Sequence, residues 1–380
     1  MKITDVRNIF VDHYLFVEVE TDTGIVGLGE SGAWGFLEAS AAVVEKFKRY
    51  LIGQDPLHIE HHWQYMYRAF HFRGAAVMGA LSAIDIALWD IAGKHHGVPV
   101  YALLGGPCRH KARVYYHVFG ETTEELVAGC IEAKRQGFTA VGHLTPFLDL
   151  PRHQVAPAET YARKIADAAD RVRQYREAVG NDVDLCVEIH RRLGPEEAVI
   201  LGREIEPYRP YFYEDPVRPD NFDTMEYVAR KINIPIATGE RLNTLQEFAM
   251  LLKRDAVRYV RVDVCIAGGI THSKKIAALA EAFDVKVVPH NPLGPVSTAA
   301  CLQVAACIPN FALQEYPKGE DEPPKSAIVK RKLTLENGHL LIPTDPGIGM
   351  ELAGGAAERF PFRFRGIETM LAEDGSVVDQ

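Results

Sequence analysis

The segments Leu185-Cys186-Val187-Glu188, Tyr211-Phe212-Tyr213-Glu214 and Ile234-Pro235-Ile236-Ala237-Thr238-Gly239-Glu240 decide the fold: each is apolar, and each stops at a carboxylate. The three acids stand 26 residues apart. A spacing of that size holds one buried strand, a helix running back along it and two short loops. Three acids at the same point of three successive βα units converge in space. Converging acids repel one another, so a cation is expected between Glu188, Glu214 and Glu240. Mg2+, a hard ion that prefers carboxylate oxygen, is the first candidate.

The same rhythm extends outward from this stretch. Apolar strands are expected at 112–118, 138–144, 185–188, 211–214, 236–240, 259–264, 285–290 and 312–316, separated by helical patterns. Runs without polar alternation are strands buried on both faces, as in a parallel sheet covered by helices. Eight such units predict an α/β chain with a (β/α)8 barrel. An open doubly wound sheet is the runner-up, but no Gly-x-Gly-x-x-Gly follows the first strand. Ahead of the barrel, residues 1–30 alternate as an antiparallel hairpin or meander, and helices follow from about 39, 58 and 75. The expected division is an α+β domain over 1–111, the barrel over 112–345 and a tail, 346–380, that packs back on the N-terminal domain. A hairpin is expected within 332–341, turning at Asn337-Gly338. The Ala267-Gly268-Gly269-Ile270-Thr271 turn reads either as an anion cradle or simply as a sharp βα turn.

Charge and composition narrow the function. With 42 basic against 51 acidic residues the formal charge is −9, and no dense Lys/Arg stripe is present, which excludes a nucleic-acid partner. The 6 cysteines are widely spaced without a Cys-x-x-Cys pair, so neither a zinc site nor a disulfide framework is expected from them. The N-terminus lacks the apolar core of a signal peptide. The most apolar helical run contains Asp85 and Asp90, which argues against a membrane span. A reducing cytoplasm fits this pattern.

Barrel active sites lie at the C-terminal strand ends. Those ends carry Glu188 and His190, Glu214 and Asp215, Glu240 and Arg241, Asp263, His290, and Glu315. Asp215, before Pro216, also reads as a helix start. His190 stands two residues past Glu188 and so shares its face on a strand, beside the metal. Asp263 and His290 end neighbouring strands, where the carboxylate fixes the tautomer of the imidazole and raises its basicity, as a general base requires. A divalent ion and such a base suit removal of the proton next to a carboxylate, through an enediolate intermediate. Hydroxide leaves badly, so β-elimination also needs an acid, and His190 supplies it. The reaction expected is dehydration of a 2,3-dihydroxy acid to a 2-keto-3-deoxy acid.

The chain resembles the enolase superfamily, in its mandelate racemase-like subgroup, and within it the galactonate- and mannonate-type acid-sugar dehydratases. The likeness runs from Met1-Lys2-Ile3-Thr4 through Ala87-Leu88-Trp89-Asp90-Ile91, Gly239-Glu240-Arg241, Ala267-Gly268-Gly269-Ile270-Thr271, Pro289-His290-Asn291-Pro292 and Leu313-Gln314-Glu315-Tyr316. It implies magnesium at Glu188, Glu214 and Glu240, a His290/Asp263 base dyad, an acid at His190 and a substrate-side carboxylate at Glu315. It also implies that the N-terminal domain caps the site through loops that include Glu30 to Trp34 and Arg73. Assembly as a homo-oligomer, often an octamer, is implied in the same way. Two positions depart from the pattern. Glu188 stands where galactonate-type enzymes carry Asp, and His143, in Gly142-His143-Leu144, stands where many relatives carry Lys at the end of the second strand. Losing that Lys disfavours racemisation, which needs opposed bases. The loop from Asp149 to Gln154, with Arg152 and His153, is expected to carry specificity. The rival readings are an epimerase or racemase with His143 facing His290, and a catalytically weak acid-sugar-binding protein.

Overall fold

The computed structural model describes residues 1–69, 71–148, 155–156, 159–366 and 369–378, with only the backbone considered at 155–156. The Asp149–Gln154 loop expected to carry specificity lies outside the described residues. The chain opens with an antiparallel meander, β1 (Ile3–Val11), β2 (Tyr14–Thr21) and β3 (Val26–Ser31), followed by helices α1 (Leu37–Leu51), α2 (Ile59–Arg68) and α3 (Ala75–His96). Alternation puts Val17 and Val19 of β2 into one core with Val44 and Phe47 of α1 and Leu81 and Leu88 of α3. Helix α3 is long and apolar enough to cross a membrane, but most of it is buried inside the protein. Its apolarity is that of a core helix.

A short helix, α4 (Val100–Leu103), leads to the alternating part of the chain. This runs β4 (Lys111–His117), α5 (Thr123–Arg135), β5 (Ala140–Leu144), β6 (Val155–Ala156), α6 (Tyr161–Val179), β7 (Asp184–Glu188) and α7 (Pro195–Ile205). It continues with β8 (Phe212–Glu214), α8 (Phe222–Ala229), β9 (Ile236–Thr238), α9 (Leu245–Leu252) and β10 (Tyr259–Val260). The last units are α10 (Gly269–Glu281), β11 (Lys286–Val287), α11 (Pro295–Cys307) and β12 (Gln314–Tyr316). Parallel pairing follows the order β4-β5-β7-β8-β9-β10-β11, and β12 returns to β4 with Glu315 opposite Tyr115. A bridge from Val287 to Phe311 joins the remaining gap. The sheet is a closed barrel of eight parallel strands.

Tyr115, Ala140, Cys186, Phe212, Ala237, Val288 and Leu313, one from each of seven strands or their ends, form a separate inner core. Their neighbours Val114, Val141, Leu185, Val187, Tyr213, Ile236 and Val287 face the helices and join the larger core. Both faces are therefore apolar, which is why these strands read as unbroken runs. The ladders are shorter than expected at β9, β10 and β11. The residues past Thr238, Val260 and Val287 leave the sheet and bend over the barrel mouth, where they carry site groups. Sequence signals at the helix starts are local: Thr122, Asn221 and Thr244 accept backbone N–H bonds at the first turns of α5, α8 and α9.

The N-terminal domain is fastened to the barrel by two carboxylates set at helix N-termini, where unpaired N–H groups and the helix dipole favour negative charge. Asp85 of α3 accepts the Thr271 N–H at 3.0 Å and the Thr271 hydroxyl at 2.5 Å, at the start of α10. Glu30 of β3 accepts the Gly294 N–H at 2.7 Å and the Ser297 N–H at 2.8 Å, at the start of α11. The glycine-rich turn thus does receive an acidic group, the chain's own Asp85, whose burial raises its carboxyl pKa to about 7 against the Thr271 hydrogen bonds. Gly269 is required there, because its φ is +71° and a Cβ would lie 2.2 Å from Asp85 Oδ2. Asp85→Ala leaves the Thr271 donors buried and unpaired, with an expected loss of about 1–3 kcal/mol in urea unfolding. An unchanged midpoint would show that the joint does not depend on this contact.

The hairpin forms as expected, β13 (Leu335–Glu336) and β14 (His339–Leu341), and pairs antiparallel with β4 through Leu340 and Ala112. Farther on, the tail lies along the β1–β2 turn. Asp12 N–H donates to Phe360 O at 2.9 Å and Arg363 N–H to Asp12 O at 2.8 Å, with the Phe10 and Phe362 rings 4.7 Å apart.

Candidate active site

Inward-facing parity carries two of the three acids into the barrel mouth. Glu188 and Glu214 lie two residues past the inner-core residues Cys186 and Phe212, and they are direct register partners on β7 and β8. The third acid is not level with them. Glu214 pairs with Ala237, so Glu240 stands three residues beyond that level and reaches the others by a bend at Gly239. Gly239 has φ +138°, and a Cβ there would sit 3.1 Å from Arg261 N, so this bend needs glycine. The outcome is a cluster in which one oxygen from each of Glu188, Glu214 and Glu240 lies within 4.8 Å of the others. Oxygens about 2.1 Å from Mg2+ lie about 3–4 Å from one another. The three side chains thus converge closely enough to hold such an ion.

The cluster is rich in uncompensated negative charge. Burial, and then the neighbouring Glu188, Glu240 and Asp215, push the Glu214 carboxyl well above the ordinary range, while Arg261 beside it works the other way. At the other two acids burial also favours the neutral form but loses to adjacent cations. His190 and His143 hold Glu188 well below its usual value, and His290 and Arg191 lower Glu240. His190 Nε2 is 2.5 Å from Glu188 Oε1, and His143 Nδ1 is 2.8 Å from Glu188 Oε2. His190 reaches this place differently from expectation. The strand stops at Glu188, and a turn with positive φ at His190 and Arg191, not strand alternation, swings the imidazole back.

At the Glu240 end, His290 Nδ1 donates to Asp263 Oδ2 at 2.9 Å, and His290 Nε2 lies 3.6 Å from Glu240 Oε2. Asp263 and His290 each stand three residues beyond Val260 and Val287, which pair across β10 and β11, so register delivers the dyad. Asp263 is itself held by the Cys265 N–H at 2.8 Å. Burial works to lower the His290 pKa, but Glu240, Asp263 and Glu315 outweigh it and raise it to about 9. Positive φ at His143, His190, Arg191 and Asp215 concentrates strained backbone on this one site.

Glu315 is brought to the same pocket with both oxygens engaged. Oε1 accepts from His117 Nε2 at 2.8 Å, and Oε2 accepts from Arg261 Nη2 and the Asn291 N–H, each at 2.7 Å. Arg261 also pairs with Glu214 and is fully buried. Sequence reasoning missed Arg261, His117 and Arg191. A lone arginine two residues before Asp263 in an apolar run was a signal for Arg261, since that parity points inward. Arg191 joins Asp215 at 2.7 Å to Glu240 at 2.5 Å, so Asp215 is an ion-pair partner; the next helix starts at Phe222. Arg241 is exposed.

Of the residues expected from the N-terminal domain, Arg73 and Trp34 pack against neighbours other than the carboxylates. Arg73 is exposed and packs over Tyr67, 5.0 Å from the ring centroid. Trp34 lies under the Arg365 guanidinium at 4.2 Å. Glu30 is buried at the α11 start, as described. The loop itself does reach the barrel mouth, because the Gly32 N–H donates to Cys265 O at 2.9 Å, two residues from Asp263.

Comparison with known proteins agrees with this fold. Residues 4–105 match the mandelate racemase/muconate lactonizing enzyme N-terminal domain, and residues 125–356 match the enolase C-terminal domain-like family. D-galactonate dehydratases from Ralstonia pickettii and Pectobacterium atrosepticum are each 38% identical, over 93% of this chain and 92% of theirs. An enolase from Agrobacterium radiobacter, crystallised with Na and L-malate, superposes with a TM-score of 0.91 at 31% identity, covering 100% of both chains. With both domain families matched and relatives of this identity spanning nearly the whole chain, the chain belongs to the mandelate racemase/muconate lactonizing branch of the enolase superfamily.

Proposed function

We propose that the protein is an Mg2+-dependent hydro-lyase that dehydrates an aldonate, such as galactonate, gluconate or mannonate, to a 2-keto-3-deoxy acid through an enediolate. The observation that carries this reading is the placement of two histidines at opposite ends of one carboxylate cluster, His190 on Glu188 and the His290–Asp263 dyad beside Glu240. The relatives named D-galactonate dehydratase support the substrate class. Members of the superfamily bind a divalent metal, and Glu188, Glu214 and Glu240 are the residues to hold it. Bound there, the cation supplies positive charge for the substrate carboxylate as negative charge gathers on it.

The protein's own groups do the proton work. The acids that raise His290 hold it protonated while the cluster is uncompensated. With a cation at the three carboxylates that charge is offset, and Asp263, keeping one proton on Nδ1, then leaves the Nε2 lone pair to take the proton from C2. Electrons flow to the carboxylate, then return to form the C2–C3 double bond as the C3 hydroxyl leaves with a proton from His190. Water is released, and the enol becomes the 2-keto acid by taking a proton at C3. Glu315, held ionised by Arg261 and His117 against its burial, fixes negative charge at the cluster's far wall. In this reading residues 1–111 cap the site, 112–345 form the barrel and 346–380 return to the cap, with assembly as a homo-oligomer.

The test is a diastereomeric acid-sugar library assayed with Mg2+ for 2-keto-3-deoxy product. One or a few stereoisomers are expected to turn over, and chelation is expected to abolish product until Mg2+ is restored. Silence across the library, with an acid sugar still bound, would overturn the hydro-lyase reading. Solvent deuterium at C2 of recovered substrate without keto acid would instead indicate an epimerase.

A further inference from the structure

Glu188 faces two sets of partners. On one side it converges with Glu214 and Glu240, an all-oxygen set. On the other, His143 Nδ1 and His190 Nε2 lie 2.8 and 2.5 Å from its two oxygens, and one donor atom from each of the three residues falls within 4.8 Å of the others. Two imidazoles and a carboxylate form a ligand set that divalent zinc, cobalt and nickel favour and magnesium does not. The two sets share one residue, and a carboxylate has lone pairs enough on its two oxygens to serve both.

We propose a second divalent-cation site at His143, Glu188 and His190, taking an imidazole-preferring ion of the zinc class beside the three-carboxylate site. Zinc ligands about 2.0–2.2 Å from the ion stand about 3.3–3.6 Å apart in a tetrahedral shell. The two nitrogens stand at 2.8 and 2.5 Å from the Glu188 oxygens, so an ion held there replaces the protons now shared with the carboxylate and opens those contacts to that spacing. The two rings meet edge to face at 5.0 Å, and His143 is backed by a further ring. His143 is stacked on His117 at 5.4 Å, and His117 is in turn fixed by Glu315. The His143 and His190 side chains are 19% and 20% exposed against 8% for Glu188, so the two rings lie nearer to solvent than the carboxylate between them. The backbone is set for convergence as well, with φ of 51° at His143 and 54° at His190.

The consequence for turnover rests on the role given to His190 above. An imidazole bound to an ion through Nε2 has no proton to deliver at that nitrogen, so occupation of this site stops dehydration while the carboxylate site remains filled.

Binding and inhibition are read separately. Equilibrium dialysis with Zn2+ in excess Mg2+ is expected to leave one Zn2+ per chain, with affinity falling at least about tenfold in His143→Asn. Glu214→Gln, which touches neither imidazole, is expected to retain the Zn2+. Co2+ in place of Zn2+ is expected to give visible bands of nitrogen ligation in wild type that are lost in His143→Asn, with circular dichroism confirming the fold of each variant. Complete displacement of Zn2+ by Mg2+, or equal Zn2+ binding in wild type and His143→Asn, would overturn the second site. Zn2+ bound as expected in a protein that dehydrates no acid sugar would leave the site standing and remove the proposed function.

Discussion

His290→Asn is expected to fold, to keep its divalent-cation affinity, and to lose both product formation and exchange of the C2 hydrogen with solvent. Loss of a positioned general base costs about 10²–10⁴ in rate. His190→Asn is expected to behave differently: product formation falls by a similar factor, but the C2 hydrogen still exchanges, because His290 and Asp263 remain paired at 2.9 Å. NMR of substrate recovered from D2O separates the two. The assignment of base and acid fails if His190→Asn loses exchange as completely as His290→Asn, or if either variant turns over at the wild-type rate.

The second large effect concerns stability. Arg261 is the buried cation between Glu214 and Glu315, and its guanidinium lies 5.6 Å from the centre of the Tyr115 ring. Arg261→Met leaves two carboxylates in the barrel mouth without their partner. Breaking a buried pair in this way costs about 3–5 kcal/mol. Urea unfolding in the presence of chelator is expected to show the full loss. Added Mg2+ is expected to restore part of it, since a cation at the cluster compensates Glu214 but not Glu315. Equal loss with and without the ion would mean that Glu214 and the cation site are not electrostatically linked through this arginine.

Much of this site was legible because its acids end apolar strands. Glu188 and Glu214 follow from parity with Cys186 and Phe212, and the Asp263–His290 dyad follows from neighbouring strands of equal reach. Equal spacing along the chain nevertheless concealed unequal register, since Glu240 stands beyond the level of the other two and depends on the bend at Gly239. The arginines were harder to read for a different reason. Arg191 and Arg261 act through partners 24 to 54 residues away, and no local pattern distinguishes a buried guanidinium from a solvated one. Helix α3 was readable to its ends because small apolar residues and the Gly97 stop are local signals, whereas the partner of Asp85 is 186 residues downstream.

That last distance has a meaning for how the chain is made. At about 5–20 residues per second, Asp85 leaves the ribosome roughly 10–40 s before Thr271 does, given the 186 residues between them. Glu30 waits longer, with 264 residues before Gly294. During synthesis the N-terminal domain therefore carries two acids shaped for partners that do not yet exist, on a face that stays wet until the final third of the barrel emerges. A nascent chain arrested before residue 269 should expose that face to protease and to chaperone, and one released after residue 297 should not.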